Sequence, residues 1–175
     1  MLKVESLKSY IGKISNDEFM ELATKIYEIT DFICVDYPNH KEWYFKKQLP
    51  RILTPSGEVL FVRENDEVIA MACLKKDDEE QKICTLYVSD ECRGKKIGTT
   101  IIEESMRFLE TTKPLITLAD YKLPMFEPII KKYDWELTEV VEGLYNDKYK
   151  ELCFNGILTQ EQSKKDPKVK SLKPE

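Results

Sequence analysis

The sequence predicts a mixed α/β protein with a mostly antiparallel central sheet flanked by helices. Three observations lead to this class. Apolar residues recur at helical spacing near the N-terminus, three strands follow at short spacing, and a strand–helix–strand order comes after them. Because 175 residues suit one domain, we expect a single domain over residues 1–158.

The first quarter of the chain is predicted to be helical. A helix is expected over residues 16–30, where apolar side chains recur on one face and Ser15 or Asn16 can cap the start. A second helical piece is expected over residues 41–52. Pro50 predicts that this piece ends early, because the residue before a proline avoids the α conformation.

The middle of the chain is predicted to be an antiparallel meander. Strands are expected over residues 59–63, 68–74 and 82–88, with a hairpin turn at residues 64–67 and a charged loop at residues 75–81. A helix over residues 97–110 follows, and then an apolar strand over residues 115–119. The strand–helix–strand order predicts that this strand runs parallel to the strand ending at Val88.

The last part of the domain is predicted to hold one helix and two strands. The helix is expected between Pro124 and Tyr133, loosened by Pro128, and the strands over residues 135–142 and 151–158. Residues 159–175 are rich in lysine and nearly free of large apolar side chains. They are expected to be a disordered tail, because such a segment cannot bury enough apolar surface to order itself.

Composition argues against several classes of function. The formal net charge is −5, whereas nucleic-acid binders usually carry a basic surplus, so no nucleic-acid partner is expected. No apolar run approaches the ~20 residues of a membrane span, and no signal-peptide core is seen, so we expect a cytoplasmic protein without a membrane partner. An acidic surface suits a cationic substrate better.

The cysteines and the histidine predict neither a metal site nor a hydrolase. Five cysteines occur without a CxxC pair, and they are expected to be reduced, mostly buried thiols with no metal. The one histidine, His40, lies in a polar stretch and is expected to be a solvated loop residue. No serine or cysteine near it carries a nucleophile elbow.

The loop between the strand ending at Val88 and the helix from Ile97 is the informative motif. A loop that opens a helix leaves backbone N–H groups without partners, and the helix dipole favours an anion there. Gly94 and Gly98 allow close approach of a ligand, and residues 93, 95 and 96 are cationic. A pyrophosphate fits this site, while a charged loop that merely caps a helix is the alternative.

The segment LYVSDECRGKKIGT, residues 86–99, resembles the acetyl-CoA-binding motif of the GNAT superfamily. That motif is written Q/R-x-x-G-x-G/A after a strand of Leu-Tyr-Val type. Arg93 matches its first position and Gly98 its last, whereas Lys96 replaces the middle glycine. The order of strands and helices over residues 1–158 is also similar to the family's fold. The resemblance implies that two parallel strands of the sheet are splayed apart.

The resemblance implies acetyl-CoA as co-substrate and no metal. The backbone of Leu86, Tyr87 and Val88 would pair with the pantetheine arm, which lies in the gap between the splayed strands. The pyrophosphate would lie on the loop and the first helical turn. The implied contacts there are Arg93, Gly94, Lys95, Lys96, Ile97, Gly98 and Thr99.

The residue that protonates the leaving thiolate is less clear. Members of the family usually carry a tyrosine on the last helix, and Ile130 stands at that position here. Tyr133 is the best candidate for the acid, and Tyr121 is the second candidate.

Three functions stay open at this point. They are an N-acetyltransferase acting on a primary amine of a small molecule or a protein, an acetyl-CoA-binding domain without catalysis, and an unrelated α/β scaffold with a cationic loop. The acceptor is unknown, and a homodimer stays open as the oligomeric state.

Overall fold

The computed structural model describes residues 2–144 and 147–157. The chain divides into two compact units, Met1–Glu110 and Thr111–Glu175, and each is described by itself. The single domain expected over residues 1–158 stays a prediction. The expected tail, residues 159–175, lies outside the described residues.

The first helix confirms the sequence prediction. Helix α1 spans Asn16–Glu28 and is capped by Ser15. The Ser15 hydroxyl accepts a hydrogen bond from the Glu18 N–H at 3.1 Å, and the Glu18 carboxylate accepts one from the Ser15 N–H at 2.8 Å. This reciprocal capping box satisfies two N–H groups that the helix would otherwise leave open. Its buried residues are Ala23, Ile26 and Tyr27.

The second helical stretch continues past Pro50, so the expectation of an early end was wrong. It consists of α2 (His40–Trp43), a π-helical segment (Tyr44–Gln48) and α3 (Leu49–Ile52). The Leu49 N–H bonds to the Tyr44 carbonyl, five residues back. A proline lacks the N–H and crowds the carbonyl four residues before it. The wider turn lies directly before Pro50, which then occupies the first turn of α3, where no N–H is needed.

The first unit contains the predicted meander and one further strand. The strands are β1 (Val4–Ser6), β2 (Gly57–Glu64), β3 (Glu67–Lys76) and β4 (Gln81–Val88). They pair antiparallel in the order β1-β2-β3-β4. The turn between β2 and β3 holds Asn65 and Asp66 at φ +52° and +65°. Both residue types tolerate this left-handed region better than most.

Helices cover both faces of this antiparallel sheet. On one face, α1, α2 and α3 pack a core that contains Tyr44 from the π-helical segment. Helix α4 (Ile97–Leu109) packs against β2, β3 and β4 and buries Ile101, Ile102, Met106 and Leu109. Because side chains alternate along a strand, the strand residues that do not face α1–α3 face α4. The core against α1–α3 includes Leu7, Ile26, Phe61, Met71 and Cys73.

The described residues of the second unit form a three-stranded antiparallel sheet and one α-helix. It comprises β5 (Leu115–Ala119), α5 (Leu123–Lys132), β6 (Leu137–Glu142) and β7 (Lys150–Phe154). Strand β7 lies between β5 and β6. Pro128 lies inside α5, as the sequence predicted. The Trp135 indole N–H donates to the Thr112 carbonyl at 2.9 Å, so its polar end is satisfied although the ring is buried.

His40 is not a solvated loop residue, and that expectation was wrong. It begins α2 and is only 6% exposed. Its Nε2 lies 2.8 Å from the hydroxyl of Thr30, which is fully buried. Its ring lies near those of Tyr27 and Trp43. Burial lowers the pKa of His40, and the nearby Asp31 carboxylate opposes that shift.

No disulfide joins the five cysteines, all of which lie among the described residues. Cys73, Cys92 and Cys153 are buried, while Cys34 and Cys84 are half-buried. Within residues 2–144 and 147–157, no helix is both long and apolar enough to cross a membrane. The same residues contain no group of three or more His, Cys, Asp or Glu side chains that could hold a metal ion.

Candidate functional site

The candidate site runs from β4 through a structured loop into α4, all within the first unit. The Ser89 N–H donates to the Ile69 carbonyl at 2.8 Å, which ties the start of the loop to β3. A 3-10 turn follows at Asp90–Cys92. Cys92 is 4% exposed, so its side chain anchors the turn in the interior. The loop is therefore held at both its backbone and its one buried side chain.

The start of α4 is shaped by three residues. Gly94 has φ +81°, a conformation that glycine adopts without a steric penalty. Lys96, which stands where the motif has its middle glycine, has φ +65° and ψ 8°. A Cβ added at Gly98 would lie 3.6 Å from Val88 Cγ2, an ordinary contact. The chain thus adopts a left-handed turn at Lys96 in spite of the departure from the motif.

The first turn of α4 has the properties of an anion site. In the described part of the chain, no side chain caps this helix, and its first turn carries no acidic residue. The first helical bond of the turn is the one from the Thr100 N–H to the Lys96 carbonyl. The N–H groups ahead of it have no partner within an α-helix, and they carry the positive end of the helix dipole. The site can therefore bind a phosphate through the backbone.

Three cations surround this helix start. The side chains of Arg93, Lys95 and Lys96 are exposed. The Arg93 guanidinium pairs with the Asp90 carboxylate at 2.8 Å, with 46% and 80% of the two side chains exposed. The sequence analysis missed this pair, although the spacing of three residues in a tight turn is a readable signal. An anion bound by Arg93 must compete with Asp90.

Strand β4 contains a bulge just before the predicted cofactor-binding residues. Cys73 of β3 pairs with Thr85, and Leu74 pairs with Ile83, so Cys84 is the extra residue. Cys84 and Tyr87 both pack against the core under α1–α3, although they are three residues apart. Regular alternation would put them on opposite faces, and the bulge changes that alternation. Beyond it, Leu86, Tyr87 and Val88 pair with Ala72, Met71 and Ala70.

Tyr87 joins this strand to the connection between α1 and α2. Its ring centroid lies 5.1 Å from that of Phe32, in an edge-to-face arrangement. Phe32 belongs to a 3-10 segment, Asp31–Val35, and is 56% exposed. Burial, and then the negative charge of Asp90, raise the pKa of the Tyr87 phenol. The phenol is therefore neutral at physiological pH and available as a hydrogen-bond donor.

The two predicted acid residues belong to the second unit. Tyr133 follows the last residue of α5, and its N–H donates to the Ile129 carbonyl at 3.0 Å. Its ring is half-buried and lies 5.2 Å from the Lys132 ammonium. Tyr121 is 51% exposed, in a 3-10 turn (Asp120–Lys122), with its ring 4.6 Å from that of Tyr149. Their catalytic roles stay predictions.

Comparison with known proteins identifies the family. The model of the acetyltransferase (GNAT) family matches residues 16–119, which include α1, the meander, the loop, α4 and β5. The chain belongs to the GNAT acetyltransferase family. No curated protein gave a sequence match.

Solved structures of GNAT acetyltransferases share the fold over both units. The ribosomal-protein-S18-alanine N-acetyltransferase of Escherichia coli is 9% identical, covers 91% of this chain and 97% of its own, and has a TM-score of 0.60. The IAA acetyltransferase of Bacillus cereus is 11% identical, with coverages of 88% and 97% and a TM-score of 0.58.

A third structure was determined with acetyl-CoA bound. It is a GNAT family acetyltransferase from Elizabethkingia anophelis, 14% identical, with coverages of 87% and 95% and a TM-score of 0.57. At such low identities the likeness concerns the fold alone. The predicted GNAT-like α/β class is confirmed.

Proposed function

We propose that the chain is an N-acetyltransferase that passes the acetyl group of acetyl-CoA to a primary amine of a small molecule or a protein. The start of α4 carries the proposal. Its first turn has no side-chain cap among the described residues and no acidic residue, and Arg93, Lys95 and Lys96 surround it. In a member of the acetyltransferase family, this combination supports a pyrophosphate-containing co-substrate.

Acetyl-CoA would be held mainly by the backbone. The residues proposed for the pyrophosphate are 93–99, and those for the pantetheine arm are 86–88. The left-handed turn at Lys96 supports this assignment, because it supplies the backbone conformation expected of the missing glycine. The acetyl-CoA bound to the Elizabethkingia anophelis acetyltransferase is consistent with the same ligand here.

The proposed reaction is direct attack by the amine. The neutral amine nitrogen forms a bond to the thioester carbonyl carbon, and the carbonyl oxygen takes up negative charge. Collapse of this intermediate breaks the C–S bond and releases the CoA thiolate. The nitrogen loses a proton, and the thiolate gains one. The backbone N–H near Val88 is our candidate donor to the oxygen, where a fixed donor has the largest effect.

Tyr133 is our candidate for protonation of the thiolate, with Tyr121 as the second choice. A tyrosine can donate because its phenol is neutral near pH 7. Solvent is the alternative donor, since Ile130 has no proton to give.

A second function deserves a test because of Ile130. With an aliphatic side chain at the family's usual tyrosine position, the chain would bind acetyl-CoA without transferring the acetyl group and would act as a sensor or interaction module. Binding without turnover would favour this function.

Calorimetry with acetyl-CoA, followed by a thiol-release assay over a panel of amines, tests both candidates. We expect binding to the unmodified protein and thiol release that depends on an amine. Gly98→Leu should weaken binding, while Gly98→Ala serves as the folding control. If calorimetry detects no acetyl-CoA binding, the proposed function fails. Binding without thiol release for any amine would leave the second function.

A further inference from the structure

A groove lies beside the candidate site, between the β2–β3 turn and the end of β4. Its volume is about 550 Å³. Val68, Ile69 and Tyr87 form its less polar part, and Glu64, Glu67 and Glu91 contribute carboxylates. The groove thus combines an aromatic ring and aliphatic side chains with several negative charges, in the same part of the first unit as the loop that precedes α4.

The charge of the groove is uncompensated by its own lining. Among the described residues that line it, none is a lysine or an arginine. Asp90 also lines the groove, and its carboxylate is paired with Arg93 at the far end of the 3-10 turn. The remaining carboxylates create a negative potential that raises the local concentration of cations. A cationic ligand would therefore match the charge of the groove.

The acidic side chains at the turn are placed against the rule for paired strands. Glu64 and Glu67 are register partners, directly opposite each other where β2 and β3 end and begin. Like charges in opposite positions of an antiparallel pair destabilise it. A local departure of this kind from the pairing rule is consistent with a role in binding. A cation between the two carboxylates would remove the repulsion.

Exposed apolar side chains adjoin the groove at Tyr87. Phe32, which packs edge-on against Tyr87, is 56% exposed, and Val35 of the same 3-10 segment is 80% exposed. Large exposed apolar side chains beside a charged groove are typical of a surface that contacts another protein. A ligand that covers this surface as well as the groove would need apolar side chains in addition to positive charges.

We propose that this groove docks a basic peptide segment of a protein acceptor. Its lysine or arginine side chains would contact Glu64, Glu67 and Glu91, and a neighbouring apolar side chain would cover Phe32 and Tyr87. The inference rests on the proposed function and narrows the acceptor from amines in general to a protein. A free polyamine matches the charges alone, because it has no bulky apolar group for the aromatic pair.

Fluorescence anisotropy with a defined peptide tests the groove directly. The probe is a fluorescein-labelled peptide of sequence Lys-Leu-Lys-Phe-Lys-Leu-Lys. Two exposed ion pairs are expected to change the affinity by about two- to thirtyfold in total, so the double variant Glu64→Gln/Glu67→Gln should weaken binding within that range. The matched control is Asp78→Asn/Glu79→Gln. It removes the same two charges from exposed positions of the β3–β4 connection, outside the groove.

Equal weakening in both double variants would show that only net charge matters and would overturn the proposal. The melting temperature of Glu64→Gln/Glu67→Gln should rise, because the opposed carboxylates are gone. If this variant is folded and binds the peptide more weakly, the loss of binding is attributable to the groove carboxylates and not to unfolding.

Three further measurements separate this inference from its alternatives. A probe with serine in place of leucine and phenylalanine should bind at least several-fold more weakly, as should the original probe to Phe32→Ser. Equal affinity in both comparisons would show that no apolar contact contributes to binding and would overturn the assignment of the groove to a peptide. Spermine that displaces the probe at the probe's own affinity would identify a small polycation instead.

Acetyl-CoA affinity, measured by calorimetry on the same samples, distinguishes failure of the groove proposal from failure of the proposed acetyltransferase function. Intact acetyl-CoA binding without peptide binding overturns only the groove.

Discussion

Replacement of Asp90 by asparagine should tighten acetyl-CoA binding, although it removes an ion pair from the loop. In the structure the Arg93 guanidinium pairs with the Asp90 carboxylate at 2.8 Å, and both side chains are exposed to solvent. An exposed ion pair of this kind contributes about 0.2–1 kcal/mol. A phosphate must displace the Asp90 carboxylate before it can pair with the Arg93 guanidinium. Without that competition, the dissociation constant should fall by about 1.5- to 5-fold, and loss of the carboxylate's repulsion adds to the effect.

The companion variant is Arg93→Gln, which should act in the opposite direction. A charge-assisted hydrogen bond contributes about 1.5–3 kcal/mol, so its loss should weaken binding by about tenfold to about a hundredfold. In the Arg93→Gln background, Asp90→Asn should give a smaller gain, because no competition remains. A double-mutant cycle of the four proteins isolates the coupling.

Calorimetry at about 50 mM and about 500 mM salt is the assay, because exposed charges are screened at the higher concentration. The gain from Asp90→Asn should shrink there. Asp78→Asn is the matched control, since it removes one exposed carboxylate away from the loop. Weaker binding by Asp90→Asn, or an equal gain from Asp78→Asn, would refute the assignment of Arg93 to the phosphate.

Three further predictions concern folding, the helix start and catalysis. Burial lowers the pKa of His40 below 6.5. The stability that its neutral ring contributes is therefore present above about pH 6.5 and is lost as the pH falls through the folded-state pKa. The melting temperature of His40→Gln should depend less on pH between about pH 7.5 and about pH 5 than that of the unmodified protein. Gly98→Ala should melt within a few degrees of the unmodified protein, since its Cβ meets only Val88 Cγ2 at 3.6 Å, and a large drop would contradict the packing. Tyr133→Phe should lower kcat by about tenfold or more with acetyl-CoA affinity intact, because general acid catalysis contributes about 10²–10⁴-fold; an unchanged kcat in the folded variant would leave solvent as the acid.

Elements with a strong local signal could be predicted from the sequence. Helix α1 combines a helical apolar stripe with a capping serine, and both properties are local. The meander strands and α4 were predicted within a few residues for the same reason. The short strand β1 has only three residues, which is too few for an alternation to be recognised.

Features that depend on packing could not be read locally. His40 lies in a polar stretch, and its burial follows from its position against Tyr27 and Trp43, which come from two different helices. The second helical stretch continues past Pro50 through a π-helical turn, and no residue type in the sequence predicts such a turn. The buried Gln48 contributes to holding this stretch, because its side-chain amide donates to the carbonyls of Glu58 and Leu74 at 3.0 Å each.

The strand, loop and helix that form the candidate site were predictable from the sequence, whereas the electrostatics of the loop were less so. The assignment of residues 86–99 to the co-substrate stays a prediction. The pairing of Arg93 with Asp90 was within reach, since the two residues are three apart. The bulge at Cys84 was not, because the register of β4 is set by its partner strand β3.

The bulge at Cys84 restricts how this segment can change in evolution. The residues on either side of Cys84 keep regular pairs, Ile83 with Leu74 and Thr85 with Cys73. Loss of Cys84 alone would therefore restore a regular strand and leave the side chains from Thr85 to Val88 on their present faces. A deletion or insertion of one residue between Thr85 and Tyr87 would instead turn Tyr87 to the other face, away from the core under α1–α3. In an alignment of related chains, a gap in this strand should therefore fall at Cys84 and not in residues 85–88.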